Sequence, residues 1–241
     1  MIYILYSADY EIFLGENFLP EAEILIEPTR QLLAVCGSIG IPMTLFADVI
    51  CAWRYREMGL DEFPDAMEDQ MRQTVADGHD VQVHLHPLWL SAKKEGDRWV
   101  STPRHALLGT YHDTEEKNRR LASELLKRGR DYLNRLLTPV DAGYRCVAFR
   151  AGHYGIQPMT GGIADALKEN GYRIDSSVVP GMMIMNEINK IDFRAVPRRP
   201  NFWLSGKSGF SSNPAEVFEI PILAYREGIF DFVCRKSGFS N

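Results

Sequence analysis

No pair of cysteines in this chain has the Cys-x-x-Cys spacing of a zinc ribbon or a redox motif; Cys36, Cys51, Cys146 and Cys234 stand far apart. Isolated thiols of this kind fit buried, unbridged side chains in a reducing compartment. No apolar run reaches the ~18 residues of a membrane span. The Met1–Ser7 run has no basic stretch before it and no small-residue cleavage site after it, so it reads as a strand rather than a secretion signal. A cytoplasmic location without a membrane span is the expectation. Positive charge is scarce too: 27 Lys and Arg are outnumbered by 32 Asp and Glu, for a formal net charge of -5. The densest basic stretch, Arg119 to Arg130, alternates with Leu and Glu at helical spacing and reads as a solvated helix face. That argues against a nucleic-acid partner, which calls for a concentrated basic surface. Internal repeats and low-complexity tracts are absent.

What is present is an ordinary globular composition, 45% hydrophobic and 24% charged over 241 residues, enough for one domain spanning 1–241. Short β-branched or aromatic runs alternate with amphipathic stretches. Residues 2–7 predict a first strand, 28–38 a helix ended by Gly37 and Gly40, and 42–46 a second strand. Met67, Met71 and Val75, four apart, predict a helix over 64–77, followed by Gly78 and a strand over 80–84. The leucines from Leu121 to Leu137 mark the apolar face of a long helix that begins near Thr114 and stops before Pro139. A strand near 146–149, a helix near 163–169 stopped by Gly171, and a strand at 172–175 make a further step. Residues 180–215 read as an irregular excursion before a strand at 217–222. The pattern predicts an α/β fold of parallel strands joined by crossover helices, and the count suits an irregular (β/α)7-type, TIM-barrel-like barrel.

The sharpest chemical feature is Val83-His84-Leu85-His86-Pro87 at a strand end. Residues two apart on a strand face the same side, so both imidazoles can reach one metal ion; the plain alternative is a pair of hydrogen-bonded core histidines. Asp9-Tyr10-Glu11 offers two carboxylates with the same periodicity, one to ligate a metal and one to accept a proton, or else a pair of turn or cap residues. In parallel barrels the site is built where strands end, which would bring the two motifs together. The long connection from His86 to Thr114 carries Trp89, Trp99, His105, Tyr111 and His112. Those aromatics would either stack on sugar rings or pin the loop to its own barrel. His112-Asp113 is a further ligand source or, for Asp113, a helix start.

The order of these motifs resembles that of the polysaccharide deacetylases, the carbohydrate esterase family four group, across most of the chain. Ser7-Ala8-Asp9-Tyr10-Glu11 is similar to the family's first motif in an Asp-x-acid variant. That likeness implies Asp9 as the base and Glu11 as a metal ligand beside His84 and His86. Gly78 to Pro87 resembles the second motif, although the family's histidines usually stand four apart and these stand two apart. Phe149-Arg150-Ala151-Gly152-His153-Tyr154 resembles the third, without its usual Pro, and implies that Arg150 orients the base. Gly171 to Ser177 resembles the fourth and implies that Asp175 pairs Arg150 or lines the pocket. The last motif, a Leu-x-x-His that supplies the general acid, has no counterpart: all six histidines lie before residue 154. The implication is a chain truncated at its C-terminus, an acid drawn from elsewhere, or lost catalysis; His153 is the nearest substitute. The resemblance implies a metal-dependent hydrolase that removes an acyl group, foremost N-acetyl, from a carbohydrate or small amide. One divalent metal would serve, Zn first, with Ni, Co and Mn accepting similar ligands. Rival expectations are a catalytically silent carbohydrate-binding relative, an amidohydrolase-type barrel, and a structural protein without metal.

Overall fold

The computed structural model describes residues 3–13, 19–157, 162–187, 189–206, 209–211, 214 and 217–224. Strand β1 runs Tyr6–Tyr10, helix α1 Glu27–Ser38, β2 Met43–Asp48, α2 Val49–Glu57, α3 Glu62–Ala76 and β3 Asp80–Leu85. After β3 come a hairpin of β4 (Lys93–Glu95) and β5 (Arg98–Val100), the long helix α4 (Glu115–Leu137) and β6 (Ala148–Ala151). Then follow α5 (Ile163–Glu169), β7 (Ile174–Asp175), β8 (Met183–Met185), β9 (Lys190–Asp192), β10 (Phe202–Ser205), β11 (Gly209–Ser211) and β12 (Val217–Glu219).

The main sheet has eight strands in the order β1-β2-β3-β6-β7-β12-β10-β11. The first six are mutually parallel, and β10 and β11 add antiparallel at the far edge. The α/β class with mostly parallel strands is as the sequence predicts, but the described residues do not close the expected (β/α)7 TIM-like barrel. Among the described residues no strand joins β11 back to β1, so the sheet is open. Closure needs further βα steps after β7, and residues 180–215 instead fold into antiparallel pairs, β8 with β9 and β10 with β11. The three described cysteines, Cys36, Cys51 and Cys146, are buried and unbridged; Cys234 and the C-terminal end lie outside the described residues. No described helix is long and apolar enough to cross a membrane.

Register divides the sheet into two chemically different faces. Tyr10, Ala47, Val83, Phe149, Asp175 and Glu219 are aligned across six strands and have almost no exposed surface. This row faces helices: the Tyr10 hydroxyl donates to Gln70 of α3 at 2.7 Å, and a Cβ at Gly129 of α4 would lie 3.3 Å from the Val83 methyls. Because side chains alternate along each strand, the next row, which includes Asp48, His84 and Arg150, points to the opposite face.

The apolar row ends in two carboxyl groups side by side, Asp175 and Glu219. Ser177 donates to Asp175 through its hydroxyl at 2.8 Å and its N–H at 3.0 Å, while Glu219 accepts from the Val178 N–H at 3.2 Å. Burial pushes both carboxyls above their ordinary range, and Asp175 pushes Glu219 further. Burial and mutual repulsion both disfavour two ionised carboxylates here, so one proton shared by the pair is the expected arrangement. Folded pKa values above the unfolded ones mean that stability is fully present below about pH 4 and is lost as pH rises through the raised values. Glu219→Gln is therefore expected to stabilise the protein more at pH 8 than at pH 5. Urea midpoints at the two pH values check this; an equal difference at both would show that no proton is shared.

Candidate metal centre

Strand β1 is set by pairing rather than by apolarity. Only Tyr6–Tyr10 find partners on β2, whereas Tyr3, Ile4 and Leu5 are exposed, so the strand is shifted from the expected 2–7. The shift places Asp9 within the strand and Glu11 just beyond its end. His84 on β3 and His86 just past its end converge as their spacing predicts, and both are buried. Glu11, His84 and His86 converge: one ligand atom from each lies within 4.8 Å of the others. Glu11 Oε2 is 3.4 Å from His84 Nε2 and in closer contact with His86 Nε2.

The hydrogen bond behind His84 decides what this cluster can bind. Its Nδ1 lies 2.8 Å from the Arg150 carbonyl oxygen, which can only accept, so Nδ1 carries the proton and the neutral ring presents a bare Nε2. The Nε2 atoms of both histidines are buried without a hydrogen-bond partner although they face the Glu11 carboxylate. Electron-rich nitrogen set against electron-rich oxygen is unfavourable unless a proton or a metal ion lies between them. Burial alone would raise the Glu11 carboxyl, but His86 and His84 hold it well below the usual range. Burial alone would lower His86, and Glu11 holds it up instead. Two imidazole nitrogens and a carboxylate oxygen are donors that a divalent ion accepts, so these residues could hold one.

Arg150 reaches from β6 into the same face. Nη1 donates to Asp9 Oδ1 at 2.7 Å, Nη2 to the Ser7 hydroxyl at 2.8 Å, and Nε to the Ser176 carbonyl at 2.9 Å. The guanidinium lies 4.1 Å over the Phe46 ring, which leaves it one planar orientation. The structure thus brings Asp9 and Arg150 together beside the cluster. It does not do so for Asp175, which aligns with Phe149 and so projects to the helix side of the sheet, away from Arg150. With no exposed surface, Asp175 accepts its hydrogen bonds from Ser177 rather than from Arg150, although the Arg150 charge still opposes the rise of its carboxyl pKa.

His153 stands against the cluster without joining the Glu11, His84 and His86 group. Its ring is 4.7 Å from that of His86, edge to face. Burial, then the neighbouring His86 and His84, holds it down to about 4, so it is neutral at pH 7. Its backbone is left-handed (φ 53, ψ 26), as is that of Tyr154 (φ 58), a conformation costing roughly 1–3 kcal/mol per non-glycine residue. The preceding Gly152 admits no side chain: a Cβ there would lie 2.7 Å from the His86 ring and 2.6 Å from the Leu85 carbonyl.

The long connection after His86 is pinned to the body of the protein. Trp89 and Trp99 are buried against Tyr55, and the Trp99 indole donates to the Tyr55 hydroxyl at 2.8 Å, so neither face is open to a sugar. His105 stacks on Tyr111 and bonds Ser91. Asp113 pairs with Arg104 at the surface, while the Thr114 hydroxyl caps α4, so neither His112 nor Asp113 enters the cluster.

One residue escaped the sequence reading. Asp48, at the end of β2, is fully buried between the strands that carry Glu11 and His84. Its Oδ1 accepts from the N–H groups of Ile50 (3.2 Å) and His86 (3.3 Å). Burial pushes its carboxyl up to about 6 against the opposing influence of His86 and His84. An acidic residue closing a second strand, as Asp9 and Glu11 close the first, is the signal that would have found it. No protein-family model, no curated protein and no solved structure matches this chain.

Proposed function

We propose that this protein is a metal-dependent hydrolase that removes an acyl group, foremost N-acetyl, from a carbohydrate or small amide. The observation that carries the reading is the pair of buried Nε2 atoms of His84 and His86, neither with a hydrogen-bond partner, set against Glu11 beside the Asp9–Arg150 pair. Glu11, His84 and His86 would hold the ion, with Zn²⁺ first and Ni²⁺, Co²⁺ or Mn²⁺ accepting similar ligands. When bound, such an ion polarises a carbonyl and lowers the pKa of water.

The chain's own groups divide the remaining work. Asp9 keeps 35% of its side chain exposed and commits Oδ1 to Arg150, so it can meet substrate in one fixed orientation and take the proton of an attacking water. Arg150 is a positioning residue, held by Ser7, Ser176 and Phe46. His153, neutral at pH 7 and packed against His86, is the nearest group to relay the proton that Asp9 takes from water on to the leaving nitrogen. A cytoplasmic setting would favour a soluble sugar, a sugar nucleotide or a lipid-linked precursor over an assembled polymer.

A second reading, a silent relative that binds sugar without turnover, is favoured by His153, which burial holds to a proton affinity too low for a good general acid. Acetate release from N-acetylated sugars, measured after each divalent ion in turn is restored to chelator-treated protein, separates the two. Turnover dependent on the ion supports the hydrolase. Ion binding and sugar binding without acetate would establish the silent relative, and absence of ion binding under replete conditions would sink both.

A further inference from the structure

We infer that Asp48 is a fourth anchoring group of the metal centre, fixing His86 through one carboxylate oxygen and placing a second negative charge beside the cation through the other. The inference rests on the reading that Glu11, His84 and His86 hold a divalent ion. Asp48 is the direct sheet partner of His84, and it follows Ala47, the partner of Tyr10, so it stands between Glu11 and His84 in the row that faces away from the helices. Its Oδ1 has two donors: the Ile50 N–H, which makes Asp48 the N-cap of α2, and the His86 N–H, which ties the end of β2 to the ligand-bearing end of β3. Its Oδ2 is buried and has no hydrogen-bond partner.

Helix capping accounts for the first oxygen but not for the second. Asn or Ser would cap α2 as well as Asp does, without burying a surplus acceptor, and a dry, unpartnered carboxylate oxygen is costly. Ionised or protonated, Oδ2 lacks a partner in the surrounding protein. A cation next to His84 and His86 supplies the missing compensation. Glu11, His84 and His86 remain the ligand set, and Asp48, outside it, adds a second negative charge that balances a divalent ion. The backbone bond to His86 makes Asp48 a positioning residue as well, because displacing the end of β2 would displace the imidazole.

Asp48→Asn separates the two contributions, since the amide oxygen still caps α2 and still accepts from His86 while the charge is gone. Asp48→Ser, which keeps a capping oxygen, serves if the Asn variant does not fold. Zn²⁺ affinity is read by competition with a chromophoric chelator, and Co²⁺ absorption reports the ligand geometry. The expected result is a roughly 10–100-fold weaker Zn²⁺ affinity, with the far-ultraviolet dichroism retained and the metal-free protein melting no lower than wild type. Affinity within about twofold of wild type in a folded variant would reduce Asp48 to a helix cap and overturn the inference. Wild-type protein that binds no Zn²⁺ would overturn the metal centre itself, an outcome visible before any variant is compared.

Discussion

Protein carrying His84→Ala and His86→Ala is expected to come away from purification and metal restoration without a divalent ion, and to have lost acyl hydrolysis with it. Wild type should hold about one equivalent, as a site of two imidazoles and one carboxylate with an open position does. The double variant leaves Glu11 as the sole remaining member of the cluster. Losing even about 4 kcal/mol of binding weakens affinity roughly a thousandfold, and two of three ligands represent more than that of the ~10–16 kcal/mol carried by structural zinc sites. Elemental analysis of both proteins reads the stoichiometry directly. The wild-type affinity should also fall as pH is lowered. His86 is held above the ordinary imidazole value, so the proton that the ion must displace is bound at a higher pH than in a free histidine. A full equivalent retained in the double variant would remove the metal centre from any account of this protein.

Asp9→Asn should have the opposite signature: an unchanged ion content and a large loss of rate. The amide keeps an oxygen for Arg150 Nη1, so the local geometry survives, but it cannot accept a proton. Positioned general bases contribute about 10²–10⁴-fold, and kcat should fall by that factor with KM little altered. A stability cost accompanies it. Arg150 is only 7% exposed and loses its one carboxylate partner, although the Ser7 and Ser176 bonds remain. Hydrogen bonds to charged groups are worth about 1.5–3 kcal/mol, and the exposure of Asp9 places the loss near the lower end. Urea denaturation measures it, and acetate release with metal content measured in parallel isolates the catalytic effect. Wild-type kcat in a metal-replete Asp9→Asn protein would assign the base to another residue.

What the sequence determined by itself is whatever a few consecutive residues can encode. His84-x-His86 shares a face because strand periodicity is two, and this holds wherever the strand lies. The long helix capped by Thr114 and the short one stopped before Gly171 follow from turn chemistry and leucine spacing within a few turns. Helix α2 was invisible because six of its nine residues are buried, which erases the polar–apolar period that would reveal it. Tertiary structure decided everything that depends on register between distant segments. Arg150 meets Asp9 across 141 residues of chain, and the same alignment turns Asp175, one row away, to the other side of the sheet. Asp48 joins the metal centre only because β2 lies between β1 and β3. The openness of the sheet follows from hairpins whose strands are too short to announce themselves. Local pattern says which side chains share a face, but inter-strand pairing chooses which faces meet, and the chemistry of this site resides in that choice.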